Sequence, residues 1–336
     1  MLNFQDLPDE LVLNILSYSE TIDLISCGQI SKKIRRISHD STLWATANLE
    51  KKIVKSEFLE LILSKGCKIL SISNSIILGH LSSNIKSQLS VLNFSHPGWE
   101  RSERDSIWVC DEYTGVLGEL ISSCCLLQHL VLEGVFLTPE MAVGICKNGK
   151  TLQTLNLNSS YLDDLSDDNL DGTRSYWYLQ EIIKCCQELK EVDLAYMNLN
   201  RRLKDDGLEF LVKNIPPDVE KLNLSGSRLM DYHVKILLDR CNKINVFSLE
   251  ATWITDRSLK NIGQYLNFTL EELSLGGTLQ HLSMPISLTG ILALKPMPRL
   301  KILNVYNYEK NGKEIQNLRY HLPHLKIRLS STYQGI

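Results

Sequence analysis

The sequence predicts an α/β protein in which an N-terminal helical module precedes a solenoid of stacked strand–helix repeats. A motif of the form LxxLxL, with tolerant apolar substitution, recurs ten times between residues 67 and 330. The preceding residues follow a different pattern, with apolar side chains at helical spacing. One repeat cannot bury its apolar face alone, so ten successive repeats predict a continuous core shared between neighbours.

Composition and charge favour an ordinary folded protein. The 336 residues are 43% hydrophobic and 22% charged, with a net charge of −3, which argues against nucleic acid as the main partner. No apolar stretch approaches the roughly 18 residues that a membrane-spanning helix needs. Asp6, Asp9 and Glu10 occupy the region where a signal peptide would be positively charged. We therefore expect a protein of the cytoplasm or the nucleus, without membrane contact.

Each repeat predicts a short strand followed by a helix. The alternating leucines of the motif point into the core, and apolar pairs such as Ile182–Ile183 mark the following helix. Stacking then predicts a horseshoe, with parallel strands on the concave face and helices outside. The ten motifs begin at Cys67, Leu89, Leu127, Leu152, Leu189, Val219, Ile244, Leu270, Leu300 and Leu325.

This unit resembles the leucine-rich repeat. Cys124, Cys186 and Cys241 each lie three residues before the leading apolar residue of the next motif. That position resembles the cysteine-containing repeat subtype of F-box proteins, although a small residue filling a helix–strand junction explains it equally well. The nine cysteines lack CxxC spacing or a histidine cluster, so we expect buried thiols and no zinc site.

The N-terminal module resembles an F-box, which docks substrate receptors onto the adaptor subunit of SCF ubiquitin ligases and, through it, onto the cullin and RING subunits. Pro8, followed by Asp9 and Glu10, gives a favourable helix start. The resemblance rests on Leu7-Pro8, Glu10-Leu11, Ile15-Leu16, Asp23-Leu24 and Leu43-Trp44. It implies adaptor contacts by Leu7, Pro8, Leu11, Ile15, Leu24, Ile30, Ile34 and Trp44.

The chain departs from the family at Ser31–Ile34, where many members carry a Cys-Lys-x-Trp run. The predicted domains are an F-box at 1–49, a connecting helical segment at 50–66, leucine-rich repeats at 67–330 and a short tail at 331–336. An alternative remains open, because the N-terminal helices would also serve as a cap on the first repeat of a scaffold that has no ligase attached.

The predicted concave face carries more acid than base. Its strand positions include one cation, Lys221, and five carboxylates, which predicts a protein target with a basic segment. A solvated sheet face with incidental charge explains the same pattern. The candidate target-binding residues on this face are Glu133, Glu191, Asp193, Glu250, Glu272 and Tyr306.

Two motif spacings are about a dozen residues longer than the others, and the extra length follows the second and fourth strands. Aromatic residues of the type that dominates interface hot spots lie in these inserts, which predicts a recognition role for at least one of them. The alternative is a tolerated surface loop. The candidates in the inserts are Trp99, Trp108, Tyr161, Asp163 and Asp164.

No cofactor is predicted. An inositol phosphate site, which some plant F-box receptors use, needs several converging cations, and Lys221 stands nearly alone. The aspartates near Asp163 lack the alternating order of a calcium loop. The sequence has no P-loop, dinucleotide fingerprint or nucleophile motif, so we expect a non-catalytic receptor subunit.

Overall fold

The computed structural model describes residues 7–82, 85–96, 111–162, 177–197, 205–276, 286–306 and 313–330. The chain divides into two compact units, Met1–Leu152 and Gln153–Ile336. No helix in the described ranges is both long enough and apolar enough to cross a bilayer.

Unit 1 opens with four short helices. Ser31 and Asp40 cap the third and fourth, since their side chains accept hydrogen bonds from the amides of Ile34 (3.2 Å) and Thr42 (2.9 Å). The same Thr42 contacts, its hydroxyl first, lower the pKa of Asp40. The helices are α1 Asp9–Leu16, α2 Thr21–Cys27, α3 Lys32–Ser38 and α4 Ser41–Trp44.

The rest of unit 1 is built from strand–helix repeats. Strands β1, β3, β5 and β6 form consecutive parallel pairs, and β2 and β4 form a separate two-stranded parallel ribbon. The strands are β1 Thr46–Asn48, β2 Ile53–Lys55, β3 Ile69–Ser71, β4 Ile76–Leu78, β5 Val91–Asn93, β6 His129–Val131 and β7 Phe136–Leu137. The helices are α5 Ser56–Ser64, α6 Asp111–Ser123 and α7 Pro139–Lys147.

Unit 2 continues the same pattern. Strand β8 and strands β10 to β15 are paired in parallel, each with the next. The strands are β8 Thr154–Asn156, β9 Tyr161–Leu162, β10 Glu191–Asp193, β11 Lys221–Asn223, β12 Val246–Ser248, β13 Glu272–Gly276, β14 Ile302–Tyr306 and β15 Lys326–Ser330. The helices are α8 Trp177–Cys185, α9 Asp205–Asn214, α10 Asp231–Leu238, α11 Asp256–Tyr265, α12 Leu288–Leu292 and α13 Lys313–His321.

In every three-residue strand from β1 to β12 of these two series, the central residue points into the core and its two neighbours point outward. Leu70, Leu155 and Leu222 are fully or almost fully buried, whereas the residues beside them are partly or largely exposed. We call the outward side of these strands the open sheet face. The inward placement of the alternating apolar residues is therefore confirmed.

All ten predicted strands are present, and β1 adds one more strand at the start of the unit 1 series. Its residues lie within the predicted F-box, and β2 and α5 lie within the predicted connecting segment, so the series of strands begins before residue 67. The stretch Trp44–Leu49 escapes the motif search because Trp44 and Ala47 replace its leucines. Both side chains are nevertheless buried as the motif requires.

Four cysteines lie at helix–strand junctions and are buried, as predicted: Cys67, Cys124, Cys186 and Cys241. Burial raises the pKa of the first two thiols and of Cys241 to about 11, and that of Cys186 to about 12. Cys125 and Cys185 differ from the prediction, because both are exposed.

Candidate functional site

The eight predicted adaptor contacts separate into two groups. Leu24, Ile34 and Trp44 are at most 2% exposed and form the core of the four-helix module. The Trp44 indole also donates a 2.7 Å hydrogen bond to the Ser38 carbonyl oxygen. These three side chains pack inside the module, and their predicted contacts with an adaptor stay a prediction. Their role is to hold the helices together.

The remaining predicted contacts reach the surface. Leu11, Ile15 and Ile30 are exposed, the last by 64%, and so is Pro8, whereas Leu7 is half-buried. Large apolar side chains that face water add no stability to the fold, so this group is available for a partner.

Three exposed apolar residues escaped the sequence argument. Tyr18 is 86% exposed, and Ile22 and Ile25 also face solvent. The helical spacing of Ile22 and Ile25 on α2 was a usable signal, since residues three apart share one helix face. The structure thus defines what we call the exposed apolar set, namely Leu11, Ile15, Tyr18, Ile22, Ile25 and Ile30.

Polar contacts fix the helices that carry this set. Asp9, at the start of α1, forms ion pairs with Lys33 (3.5 Å) and Arg36 on α3. Lys33 also donates to the Leu7 carbonyl oxygen. The Arg35 side chain donates a 2.9 Å hydrogen bond to the carbonyl oxygen of Gly28, at the end of α2. Both α1 and α2 are therefore tied to α3.

The second predicted surface is the open sheet face, and its carboxylates are largely paired within the fold. Glu191 forms a 2.7 Å ion pair with Lys221 on the neighbouring strand. Glu272 accepts a 2.8 Å hydrogen bond from Asn304 and lies 3.7 Å from Arg328. These contacts already use much of the charge that a basic target would need.

Asp193 has a structural role. Its Oδ1 accepts a hydrogen bond from the Ala195 amide (2.9 Å), and its Oδ2 accepts one from Asn223 (3.0 Å). Asn156 and Asn223, at the same position in adjacent repeats, close the turns after their strands with the same amide contact. A short polar side chain here stabilises the turn, which is a sufficient reason for an aspartate.

The other two acids differ in their surroundings. Glu133 lies 3.4 Å from the imidazole of His96, in unit 1. Glu250 is half-buried, and its backbone amide donates to Ser225 Oγ at 3.1 Å. Neither carboxylate belongs to an isolated acidic cluster.

The last strand changes the charge of the open sheet face. The register aligns Lys326 with Ile302 and Glu272, and Arg328 with Asn304 and Ser274, so both cations point outward. The prediction of five acids against one base omitted this strand. With Lys326 and Arg328 added to Lys221, the face carries three bases; Glu50, at the edge after β1, adds one acid, so acid still exceeds base but by a smaller margin.

The inserts lie mostly outside the described residues. Trp99, Trp108, Asp163 and Asp164 are all outside them, so their predicted role stays a prediction. Tyr161 lies on β9 and is 39% exposed. Tyr306 ends β14, but its side chain is not among those described.

Two loops of unit 2 bring an arginine and a tryptophan into contact. The Arg228 guanidinium lies 5.2 Å from the centre of the Trp253 ring, in the loops that follow β11 and β12. Tyr196, after β10, packs its ring against Gly226. Arginine, tryptophan and tyrosine are the residue types most enriched at interface hot spots. No repeat motif includes these loop positions; Arg228 is a loop cation that could contribute to a phosphate site, whereas Tyr196 and Trp253 carry no sequence signal.

Comparison with known proteins agrees with the N-terminal part of this description. A family model described as F-box-like matches residues 4–50. Among solved structures, the chain is similar to the leucine-rich repeat-containing protein LegL7 of Legionella pneumophila, with 15% identity over 84% of this chain and 90% of that one, and a TM-score of 0.46. It is also similar to a leucine-rich-repeat protein of Leptospira interrogans, with 15% identity over 89% and 92%, and a TM-score of 0.30.

The molecule is thus an F-box-like domain followed by a leucine-rich-repeat-like array of parallel strands. The F-box-like match ends at residue 50, and β1 lies inside it. The domain and the first repeat therefore share residues instead of meeting at a linker.

Proposed function

We propose that this protein is the substrate-receptor subunit of an SCF-type ubiquitin ligase. Its F-box-like domain docks onto the SCF adaptor, and its repeats hold a protein target for ubiquitination. The observation that carries the proposal is that the exposed apolar set faces solvent, although the domain has a separate buried core formed by Leu24, Ile34 and Trp44. The protein acts in the cytoplasm or nucleus, and other subunits of the complex catalyse the transfer of ubiquitin.

The exposed apolar set is large enough to drive association. Burying one such side chain contributes about 1.5–3 kcal/mol when it is fully exposed beforehand. Even after the cost of association and ordering, several of them at the centre of an interface support stable binding. The ion pairs of Asp9 hold α1 on α3, so the set needs little reorganisation before it binds.

The repeats contribute to ubiquitination by holding the target in a fixed place. A target held on the array and an activated ubiquitin held at the far end of the complex react as if within one molecule, which raises their effective concentration. Within the F-box family, Leu130–Ser160 and Leu322–Ile327 resemble the S-phase kinase-associated receptor. That resemblance supports the order of parts and not the identity of the target.

The decisive experiment measures affinity for the purified SCF adaptor by calorimetry. Ile22→Ser with Ile25→Ser removes two exposed apolar side chains from α2, and we expect about a twentyfold loss of affinity. The matched control is Leu126→Ser with Val143→Ser, two comparably exposed residues of unit 1 outside the F-box-like domain. We expect the control to bind within twofold of the wild type.

Point variants serve better than the deletion of residues 1–49, because the deletion would also remove β1. An intact wild-type chain that shows no adaptor binding refutes the proposal. Equal losses of adaptor affinity in the α2 variant and the control refute the assignment of the exposed apolar set as the docking surface.

The second candidate is a protein-interaction scaffold without a ligase, in which the helices cap the array. The observation in its favour is that α4 leads into β1, the first strand of the unit 1 series, with only Ala45 between them. In that case the intact chain does not bind the adaptor, and the α2 variant changes solubility alone.

A further inference from the structure

A second apolar surface lies next to the F-box-like domain, on the ribbon formed by β2 and β4. Ile53 pairs with Ile76 and Lys55 pairs with Leu78, while Val54 and Ile77 form the central pair. The central pair is buried and the flanking pairs point to the other side. Ile53 is 68% exposed and Leu78 is 40% exposed. A two-stranded ribbon thus presents β-branched and leucine side chains to water.

The ribbon is held in place by its own polar contacts. Ser75 is buried, accepts a 3.1 Å hydrogen bond from the Lys52 amide and donates a 2.6 Å one to the Leu49 carbonyl oxygen. Gly79 follows β4 with a φ of +94°, and a Cβ there would lie 2.6 Å from Ser56 Oγ. Glycine is therefore required for β4 to approach the start of α5. The apolar face is preformed, so a partner would lose little affinity to ordering it.

The ribbon is directly connected to the exposed apolar set. Lys52, the residue before Ile53, forms an ion pair with Glu20. Glu20 precedes α2 and lies between Tyr18 and Ile22 in the chain. One lysine side chain therefore spans the gap between the two apolar surfaces.

Cations flank the ribbon. Lys51 and Lys55 are exposed, and among the described residues neither forms an ion pair with a carboxylate. A surface that covers Ile53 and Leu78 thus meets uncompensated positive charge at its margin. Charge complementarity favours a partner with carboxylates around an apolar patch.

We infer that the β2–β4 ribbon extends the docking surface of the F-box-like domain, and that the SCF adaptor covers both. The inference rests on the proposed function and adds a specific contact area to it. Ile53 and Leu78 pack against apolar side chains of the adaptor, and Lys51 and Lys55 face its carboxylates. The F-box-like domain alone would then bind more weakly than the domain with its first two repeats.

The test compares adaptor affinity for the full chain and three variants by calorimetry. We expect Ile53→Ser to weaken binding about tenfold and Leu78→Ser about fivefold, because each loses buried apolar area. The matched control is Ile69→Ser, which removes a 42% exposed isoleucine from the open sheet face of the same unit. Its affinity should stay within twofold of the wild type. Thermal unfolding by circular dichroism verifies that all three variants fold.

A kinetic measurement tests the charged margin separately. Lys55→Glu should slow association with the adaptor severalfold at low salt, and this effect should diminish at high salt. An equally slow association at all salt concentrations contradicts the charge argument.

The outcomes separate the two proposals. Wild-type binding that Ile53→Ser and Leu78→Ser leave unchanged overturns the ribbon inference and leaves the proposed function intact. A ribbon variant that changes the oligomeric state without changing adaptor affinity also overturns it, since the occupant is then a second copy of the chain. Failure of the wild type to bind the adaptor overturns both.

Discussion

Asp231 connects two neighbouring repeats of unit 2, and its removal should destabilise both. This carboxylate, at the start of α10, accepts four hydrogen bonds from the start of α11. Thr255 supplies its amide (2.9 Å) and hydroxyl (2.6 Å), and Ser258 supplies its amide (3.1 Å) and hydroxyl (2.5 Å). Two of these donors are backbone amides at a helix N-terminus, where few backbone acceptors are available; the Ser258 amide also donates to the Thr255 carbonyl oxygen (3.0 Å).

The magnitude follows from these contacts. Each hydrogen bond contributes about 1 kcal/mol net, so Asp231→Ala should lower the free energy of unfolding of this region by about 3–4 kcal/mol. Asp231→Asn keeps one acceptor oxygen and should lose about half of that. The matched control is Asp239→Ala on the same helix. Asp239 is exposed and interacts with the side chains of Lys235 and Tyr265, and polar contacts of exposed groups contribute little.

The pH dependence has a definite sign. Burial alone would raise the pKa of Asp231, but the hydrogen bonds from Ser258 and Thr255 together outweigh it, and the pKa is lowered. The ionised form is therefore stabilised on folding. Its contribution is full above the unfolded pKa of about 3.9 and is lost as the pH falls through the lower folded value. Asp231→Asn should abolish the decrease in unfolding free energy that protonation of this carboxylate causes at low pH.

Hydrogen exchange of the α10 and α11 amides is the appropriate assay, because a repeat array need not unfold in one step. Protection should fall in Asp231→Ala and stay near the wild-type level in Asp239→Ala. Equal protection in the two variants would refute the capping argument.

Three further predictions concern packing and reactivity. Gly226→Ala should lower the free energy of unfolding, measured by denaturant titration, by about 1–3 kcal/mol, because the residue has a φ of +76° and a Cβ would lie 2.5 Å from the Tyr196 ring. Gly115→Ala on α6 is the control and should not lower it, because the nearest atom to a Cβ there is 3.9 Å away. Alkylation at pH 8, followed by peptide mass spectrometry, should modify exposed Cys185 and spare adjacent Cys186, whose burial raises its pKa to about 12; equal labelling would contradict the burial. Trp44→Ala should cost about 3–5 kcal/mol and disorder the F-box-like domain, whereas Ile22→Ser should leave its circular dichroism unchanged.

The array was predictable because its signal is periodic. Leu155 and Leu222 occupy positions where only apolar side chains fit the core, so the ten strands follow from spacing alone. Strand β1 was missed because Trp44 and Ala47 replace the leucines. Elsewhere in the array cysteine, valine, isoleucine and phenylalanine replace leucine, but no other motif combines a tryptophan with an alanine at the buried positions.

The candidate sites were only partly predictable. Helical spacing places Leu11 and Ile15 together, but it does not tell which apolar residues of a small domain face inward. Trp44 and Leu24 illustrate this, since both belong to the family motif and both are core. The pairing of Glu191 with Lys221, and of Glu272 with Arg328, depends on register between strands about 30 and 56 residues apart, which composition does not contain.

The absence of a spacer between the F-box-like domain and β1 has a mechanical consequence. Ala45 alone separates α4 from β1, and its carbonyl oxygen accepts hydrogen bonds from the amides of Lys68 (2.9 Å) and Ile69 (3.1 Å). The residue that joins the two parts is thus held by the backbone hydrogen bonds between β1 and β3. A rotation of the four helices would therefore have to break backbone hydrogen bonds of the sheet, so the helices and the first strands move together as one body.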